Sequence, residues 1–401
     1  MVFSNVSNAL RLGIALFFIG QLPASADTTN IDTTATSTGG YWFNCGIRSN
    51  TTVGCWGTNL LGQMGDGNWF TRALRPVTPT GLGRNVIEVG TGAFHSCALK
   101  SNGRMYCWGQ NTKGQLGQGT FGGGSLTPVE VPLPARAVDI AVGHEHTCAA
   151  LRNGRVACWG WNANGQLGIG TLIDQGAPVL VEGLRNVVAV ETHYRHTCAL
   201  HSNQTVSCFG SNVSGQSSVN DTASELVPVR VDGVRNVVEL GLGQDHTCAR
   251  QDSGAVLCWG NNVFRQLGRE TVNSAPNGPG RVSRLGNATK LGVGRFHSCA
   301  ADATGKAFCW GYNYDGQIGN GEADKSAYSN VPVPTRVKGL GRVHIVSVHA
   351  GYDHSCALDQ EGTMRCWGAN SEGQLGDGTR DASLKPVRVK GARFLVPGDV
   401  E

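Results

Sequence analysis

Fourteen cysteines fall into seven pairs of identical internal spacing, with none left over. The pairs are Cys45 and Cys55, Cys97 and Cys107, Cys148 and Cys158, Cys198 and Cys208, Cys248 and Cys258, Cys299 and Cys309, and Cys356 and Cys366. Nine residues separate the members of each pair. Successive pairs follow at 50 to 52 residues, except for a last interval of 57 with an insertion around residues 321–330. A fixed period of this length marks a chain built by repeating one supersecondary unit.

The second unit shows what is repeated. Arg84 to Val89 (RNVIEV) is apolar and β-branched and predicts a buried strand. His95 to Lys100 (HSCALK) predicts a second strand, and Ser101-Asn102-Gly103 a hairpin turn with glycine where a positive φ is needed. Arg104 to Trp108 is the return strand, Gly109 to Gly119 a glycine-punctuated loop, and Pro128 to Val131 an outer strand. Four short antiparallel strands per unit, repeated seven times, predict an all-β chain. It folds as a seven-bladed β-propeller of four antiparallel strands per blade. Glycine, 58 of 401 residues, stands at about twice its usual share, as so many tight turns require.

With the hairpin turn centred on Asn102, Cys97 and Cys107 stand directly opposite each other. Cross-strand neighbours come close enough for a disulfide with small adjustment. The uniform gap lacks the short clasp of a structural zinc site. We therefore expect seven intra-blade disulfides, no metal and no cofactor. The first unit lacks a counterpart of Arg84–Val89, and GARFLV at Gly391–Val396 matches GLRNVV at Gly183–Val188. The expectation is that Arg393–Val396 completes the first blade and locks the C-terminus to the N-terminus.

Residues 1–26 have the pattern of a secretory signal peptide. Arg11 supplies the positive charge, Leu12 to Leu22 the apolar run, and Ala24-Ser25-Ala26 the cleavage site. The apolar run is too short to span a bilayer, and no later run is longer. The mature chain is expected to begin near Asp27, with residues 27–40 a flexible lead-in, 41–401 the propeller, and no membrane span. An even cysteine count behind such a leader implies an oxidising, extracellular compartment: secreted, periplasmic or at the cell surface. With only 15% charged residues and a net charge of +4, no basic tract points to nucleic acid. Five Asn-x-Ser/Thr sequons, at Asn50, Asn203, Asn212, Asn220 and Asn287, are near the chance yield.

The segment H-S/T-C-A-L…G…C-W-G-x-N-x-x-G-Q-L-G resembles the regulator of chromosome condensation repeat. It is clearest at His95–Gly117, His146–Gly168 and His354–Gly376. Trp56, Trp108, Trp159, Trp259, Trp310 and Trp367 keep the Trp-Gly step. In the fourth unit Phe209 replaces it and Gly-Gln-Leu-Gly decays to Gly215-Gln216-Ser217-Ser218. The resemblance covers nearly all of residues 41–396. It implies the propeller fold and, for disulfide-bearing secreted members, a monomeric protein-interaction module gripping a protein partner with loops of one face. Nucleotide exchange, the founding activity of the family, is not carried over to a chain with this leader and these cysteines.

Residues that repeat serve the repeat. Six histidines stand two positions before the first cysteine, at His95, His146, His196, His246, His297 and His354, with Phe43 in the first unit. Their expected role, like that of the tryptophans, is structural. The pair just before this position varies freely on a constant scaffold. It reads Tyr41-Trp42, Ala93-Phe94, His144-Glu145, Tyr194-Arg195, Gln244-Asp245, Arg295-Phe296 and Tyr352-Asp353. On turns between first and second strands these side chains crowd on one face. Aromatic residues and arginine there make a candidate binding surface. Two other readings remain: a lectin-like binder with repeated exposed aromatics, and an enzyme with a central-channel site where Glu145, Asp245 and Asp353 meet. No nucleophile elbow, HExxH helix or phosphate loop supports catalysis.

Overall fold

Every repeat forms the four-stranded antiparallel sheet its pattern predicts, and seven such sheets make the ring. This computed structural model describes residues 37–218, 222–270, 277–323 and 330–398. The leader, most of the lead-in, the core of the 321–330 insertion and Asn220 lie outside the described residues.

The first blade holds β1 (Ser37–Gly39), β2 (Phe43–Ile47), β3 (Val53–Asn59) and β4 (Thr71–Val77). The second holds β5 (Val86–Thr91), β6 (His95–Lys100), β7 (Met105–Gln110) and β8 (Gly124–Glu130). Inner and outer strands extend further toward the loops than their apolar residues alone suggest. Backbone pairing continues through Gly90-Thr91 and from Gly124 onward. The middle strands are buried on both faces because each blade is sandwiched between two others, so they read as apolar runs rather than alternating ones.

All seven expected disulfides are present, each joining the two middle strands of one blade. Cys45 is bonded to Cys55, Cys97 to Cys107, Cys148 to Cys158 and Cys198 to Cys208. Cys248 is bonded to Cys258, Cys299 to Cys309 and Cys356 to Cys366. The partners are directly opposed, with Cα separations of 4.0 to 4.1 Å across the seven bridges. In the second blade the turn that sets this register has Gly103 at φ 75°.

The blades are joined by one repeated seam. His95 Nε2 meets Thr147 Oγ1 of the next blade at 3.0 Å, and Thr147 Oγ1 donates to the Gln115 carbonyl. That carbonyl also accepts Trp159 Nε1–H at 2.9 Å. Here Gly117 (φ 72°) is required, since a Cβ would lie 2.8 Å from Trp159 Nε1. The histidine–hydroxyl contact recurs for His146, His196, His246 and His297 with Thr197, Thr247, Ser298 and Ser355, and the indole bond recurs at all of these seams but the first, where Phe209 stands. At the closing junction the first blade offers Asn44. Its Oδ1 lies 2.8 Å from His354 Nε2, its Nδ2 donates to the Gln374 carbonyl, and Trp56 Nε1 donates to that carbonyl too. Because Asn44 Oδ1 can only accept, His354 must carry its proton on Nε2. The expected structural role of the histidines holds, with a strand of the neighbouring blade as partner.

Closure differs in detail from the expectation. The C-terminal segment pairs with the first blade through the Arg48↔Phe394 bridge and hydrogen bonds from Ser49 N to Arg393 O and from Leu395 N to Ile47 O, while Phe394 packs on Trp56 and Leu395 joins the first-blade core. Pro397 follows, lacks an N–H and constrains Val396, so pairing stops there. The upper rungs are filled by β1, with Ser37 opposite Gly46, Thr38 opposite Cys45 and Gly39 opposite Asn44. The inner strand of the first blade is thus assembled from both ends of the chain. The last three lead-in residues before Gly40 are strand rather than flexible linker.

Candidate functional site: the loop face

The turns between first and second strands emerge at the end of the barrel where third and fourth strands are also joined, so both loop sets share one face. Backbone hydrogen bonds link the inner turns from blade to blade. Ala93 N donates to His144 O, His144 N to His193 O, Gln244 N to Arg295 O, Arg295 N to Gly351 O, and Tyr352 N to Gly40 O. These rungs hold the variable pairs in a ring above the central channel.

The first members of the pairs converge there. Tyr41 and Tyr352 have ring centroids 3.8 Å apart and share a side-chain hydrogen bond. Tyr41 also meets His144 at 5.2 Å, across a position where the second blade carries only the small, buried Ala93. His144 packs edge-on against Tyr194 at 4.5 Å. The Arg295 guanidinium lies 3.9 Å from the Tyr352 ring centre and donates from Nε to Gln244 Oε1 at 2.8 Å. The second members stand around this crown. Trp42 and Phe94 touch edge-on, Arg195 lies over Trp161 and Tyr194, and Phe296 packs on Phe264. All thirteen candidate residues are half-buried on this one face.

The three carboxylates that the enzyme reading would need in the channel do not meet there. The cavity, of about 170 Å³, is lined by inner strands and touches none of Glu145, Asp245 or Asp353. Glu145 lies 3.8 Å from His144, and Asp245 accepts from Gln244 Nε2. Burial and the nearby Asp315 push Asp353 up to about 6, while Arg295 opposes the shift. Burial also raises Asp245. The channel carries Glu191, raised to about 8 by burial, and His193 and His349, lowered to about 3 by burial. At neutral pH all three are uncharged. His193 stands where the other six blades have glycine (Gly40, Gly92, Gly143, Gly243, Gly294 and Gly351). No group of three His, Cys, Asp or Glu able to hold a metal occurs among the described residues. The six Trp-Gly tryptophans are fully buried in the seams, so they offer no repeated platform for a sugar.

Sequence reasoning passed over Trp161, Phe264, Tyr312 and Tyr314, which extend the crown outward. Their signal was the variable positions of the Trp-Gly-x-Asn-x-x segment. The adjacent asparagine is a clamp. Asn111 Oδ1 accepts from Leu116 N, and its Nδ2 donates to Thr120 O across the loop.

Fold and site define a class: a disulfide-stapled, seven-bladed propeller with a variable aromatic loop face on an invariant frame. Residues 52–399 match the family described as the RCC1-like domain, and the chain belongs to that family. It is 29% identical over 362 residues to the ultraviolet-B receptor UVR8 of Arabidopsis thaliana, covering 86% of this chain and 67% of UVR8. Of human HERC2, an E3 ubiquitin-protein ligase, it covers only 5% at 28% identity. The fold matches yeast (Saccharomyces cerevisiae) Prp20p with a TM-score of 0.77 at 24% identity, covering 92% of this chain and 90% of Prp20p.

Proposed function

We propose that this chain is an exported protein-interaction module that binds a protein partner through its loop face. The observation that carries the reading is the convergence of Tyr41, His144, Tyr194, Arg295 and Tyr352 over the channel, with Trp42 and Phe94 beside them. The repeat frame gives the first position of each pair the same backbone, and the seven blades fill it with tyrosine three times and with alanine, histidine, glutamine and arginine once each. Large aromatic groups and arginine, held by packing, lose little freedom on binding. The family supports the reading: Prp20p was described with its binding to Gsp1p and histones. Export rests on the leader pattern and seven bonded cysteine pairs, which suit an oxidising compartment.

The test is to replace Trp42, Tyr194 and Tyr352 together by Ala in the mature, oxidised chain. Proteins captured by native and variant chains from the native extracellular fluid are then compared. We expect the partner to be lost while the thermal melt keeps its shape. A partner retained in full by the folded variant removes the loop face from the reading. Recovery of the chain inside the cytoplasm with its leader uncut removes export.

A further inference from the structure

The loop face has an outer rim that the crown does not explain. The loop joining third to fourth strands carries, at one repeat position, Trp69 in the first blade, Phe121 in the second and Leu172 in the third; the seventh has Arg380. The three apolar side chains are 57%, 56% and 53% exposed, and the neighbouring Phe70 and Ile173 are 71% and 67% exposed. Large apolar groups at equivalent points of three consecutive blades form one arc, unlike singly scattered surface residues.

The arc is held rigidly. Asn59 Nδ2 donates to Asn68 O, Asn111 Nδ2 to Thr120 O and Asn162 Nδ2 to Thr171 O, each clamping the carbonyl just before the exposed side chain. Each loop is also tied to the next blade: Gly67 N to Leu126 O, Gly119 N to Gly176 O, and Gly170 N to Leu226 O. Phe70 sits at φ 55°, a conformation that costs an aromatic residue free energy and persists only where the surroundings enforce it. Side chains presented in this way bind with little further ordering cost.

Charge selects the occupant. Near the arc, the cations Arg72 and Lys113 are paired with Glu372 and Asp174. In the seventh blade, next to the first across the closing seam, the Asp353 carboxylate has no hydrogen bond or ion pair among the described residues, and both Asp315 and Arg295 lie close enough to act on it. We infer that the loop face is bipartite, seating a partner segment whose large apolar side chains cover the Trp69–Phe121–Leu172 arc and whose lysine or arginine faces Asp353. This rests on the loop-face reading and specifies the chemistry of its partner.

A random displayed-peptide library selected on the intact oxidised chain tests it, with a synthetic copy of the most enriched peptide as probe. Enriched peptides should combine aromatic or aliphatic residues with a lysine or arginine. Trp69→Ser/Phe121→Ser/Leu172→Ser should weaken the probe at least about 30-fold, the loss expected at a hot spot. Asp353→Asn should weaken it about fivefold and flatten its salt dependence. The arc substitutions lie on the surface and leave the buried frame untouched, so an unchanged melt confirms folding of that variant; Asp353→Asn removes a carboxylate that burial disfavours and should melt no lower than the native chain. Acidic peptides, no enrichment, or full binding to the arc variant overturn the proposal. Binding lost in the Trp42/Tyr194/Tyr352 variant but kept in the arc variant overturns it while leaving the loop face as a binding site. Binding kept in both overturns both readings. A dimer in sedimentation that the arc variant abolishes makes a second copy the occupant, which also overturns it.

Discussion

The seams and the crown are built from neighbouring residues of the same repeats, yet they follow opposite rules. In the seam, His146, Thr197 and the Gln166 carbonyl adopt the geometry of His95, Thr147 and the Gln115 carbonyl. One residue before each histidine, or before Phe43 in the first blade, the side chains run from Trp42 and Phe94 to Glu145, Arg195 and Asp245. A ring must meet the same packing problem at every junction, and a buried polar group without its partner is costly. The crown is half-buried, and its side chains meet a different neighbour at each junction instead of one repeated partner. Repetition therefore reports closure, and variation over a fixed backbone marks positions that closure leaves free.

Acid should break the seams first. Burial lowers His95, His146, His246, His297 and His354 to about 3 and His196 well below its ordinary value; His193 and His349 in the channel also fall to about 3. Each is neutral in the folded ring and takes a proton near 6.5 when unfolded. Their stabilisation is complete above about pH 6.5 and drains as pH falls toward 3, on the order of 1 kcal/mol per unit per histidine. Glu191 and Asp353 act oppositely. Their raised values add stability below their unfolded values and lose it as pH rises through about 8 and 6. Two carboxyls do not offset eight imidazoles. The melting temperature should drop steeply between pH 6 and 4, with the buried imidazole NMR signals showing no titration before unfolding. A flat melting temperature across that range contradicts the neutral seam.

The closing seam is the next largest test. Asn44 is fully buried and serves both His354 and the Gln374 carbonyl. Asn44→Ala strands the His354 Nε2–H and opens a void, a loss of about 3 kcal/mol. Asn44→Ser, closer to the serine or threonine of other seams, should recover part of it. The crown variant Trp42/Tyr194/Tyr352→Ala should cost less than Asn44→Ala in the same denaturant series. The reverse ranking would mean that the crown, too, is part of the frame.

What was legible in the sequence follows the same division. Seven blades, seven disulfides and the structural histidines could be read because identical geometry forces identical residues, down to Cys97 facing Cys107. The face on which the variable pairs gather was legible from their place between two strands. The composite strand of the first blade was not, because Ser37–Gly39 is recruited by empty rungs rather than by any β-rich pattern of its own. That Glu145, Asp245 and Asp353 are loop carboxylates and not a channel cluster was the plainer reading, but their partners His144 and Gln244 belong to no repeat rule and could not be read. The exposed arc was hidden in loops whose length varies, so Trp69, Phe121 and Leu172 line up only when counted from the asparagine clamp.

The fourth blade supplies the smallest test, because nature has already altered its seam. Phe209 fills the tryptophan site, fully buried but without a donor, so the Gln166 carbonyl keeps its bond from Thr197 Oγ1 at 2.8 Å and gains none from a ring. The same change can be made where the tryptophan remains. In Trp159→Phe the Gln115 carbonyl retains Thr147, so no polar group is orphaned. The cost is one satisfied hydrogen bond and a little packing, about 1–2 kcal/mol. It should appear as a lower urea midpoint with an unchanged slope. A loss above about 4 kcal/mol would show that the indole fixes the seam and that the fourth blade is compensated elsewhere. No loss at all would show that threonine alone holds the carbonyl in every blade.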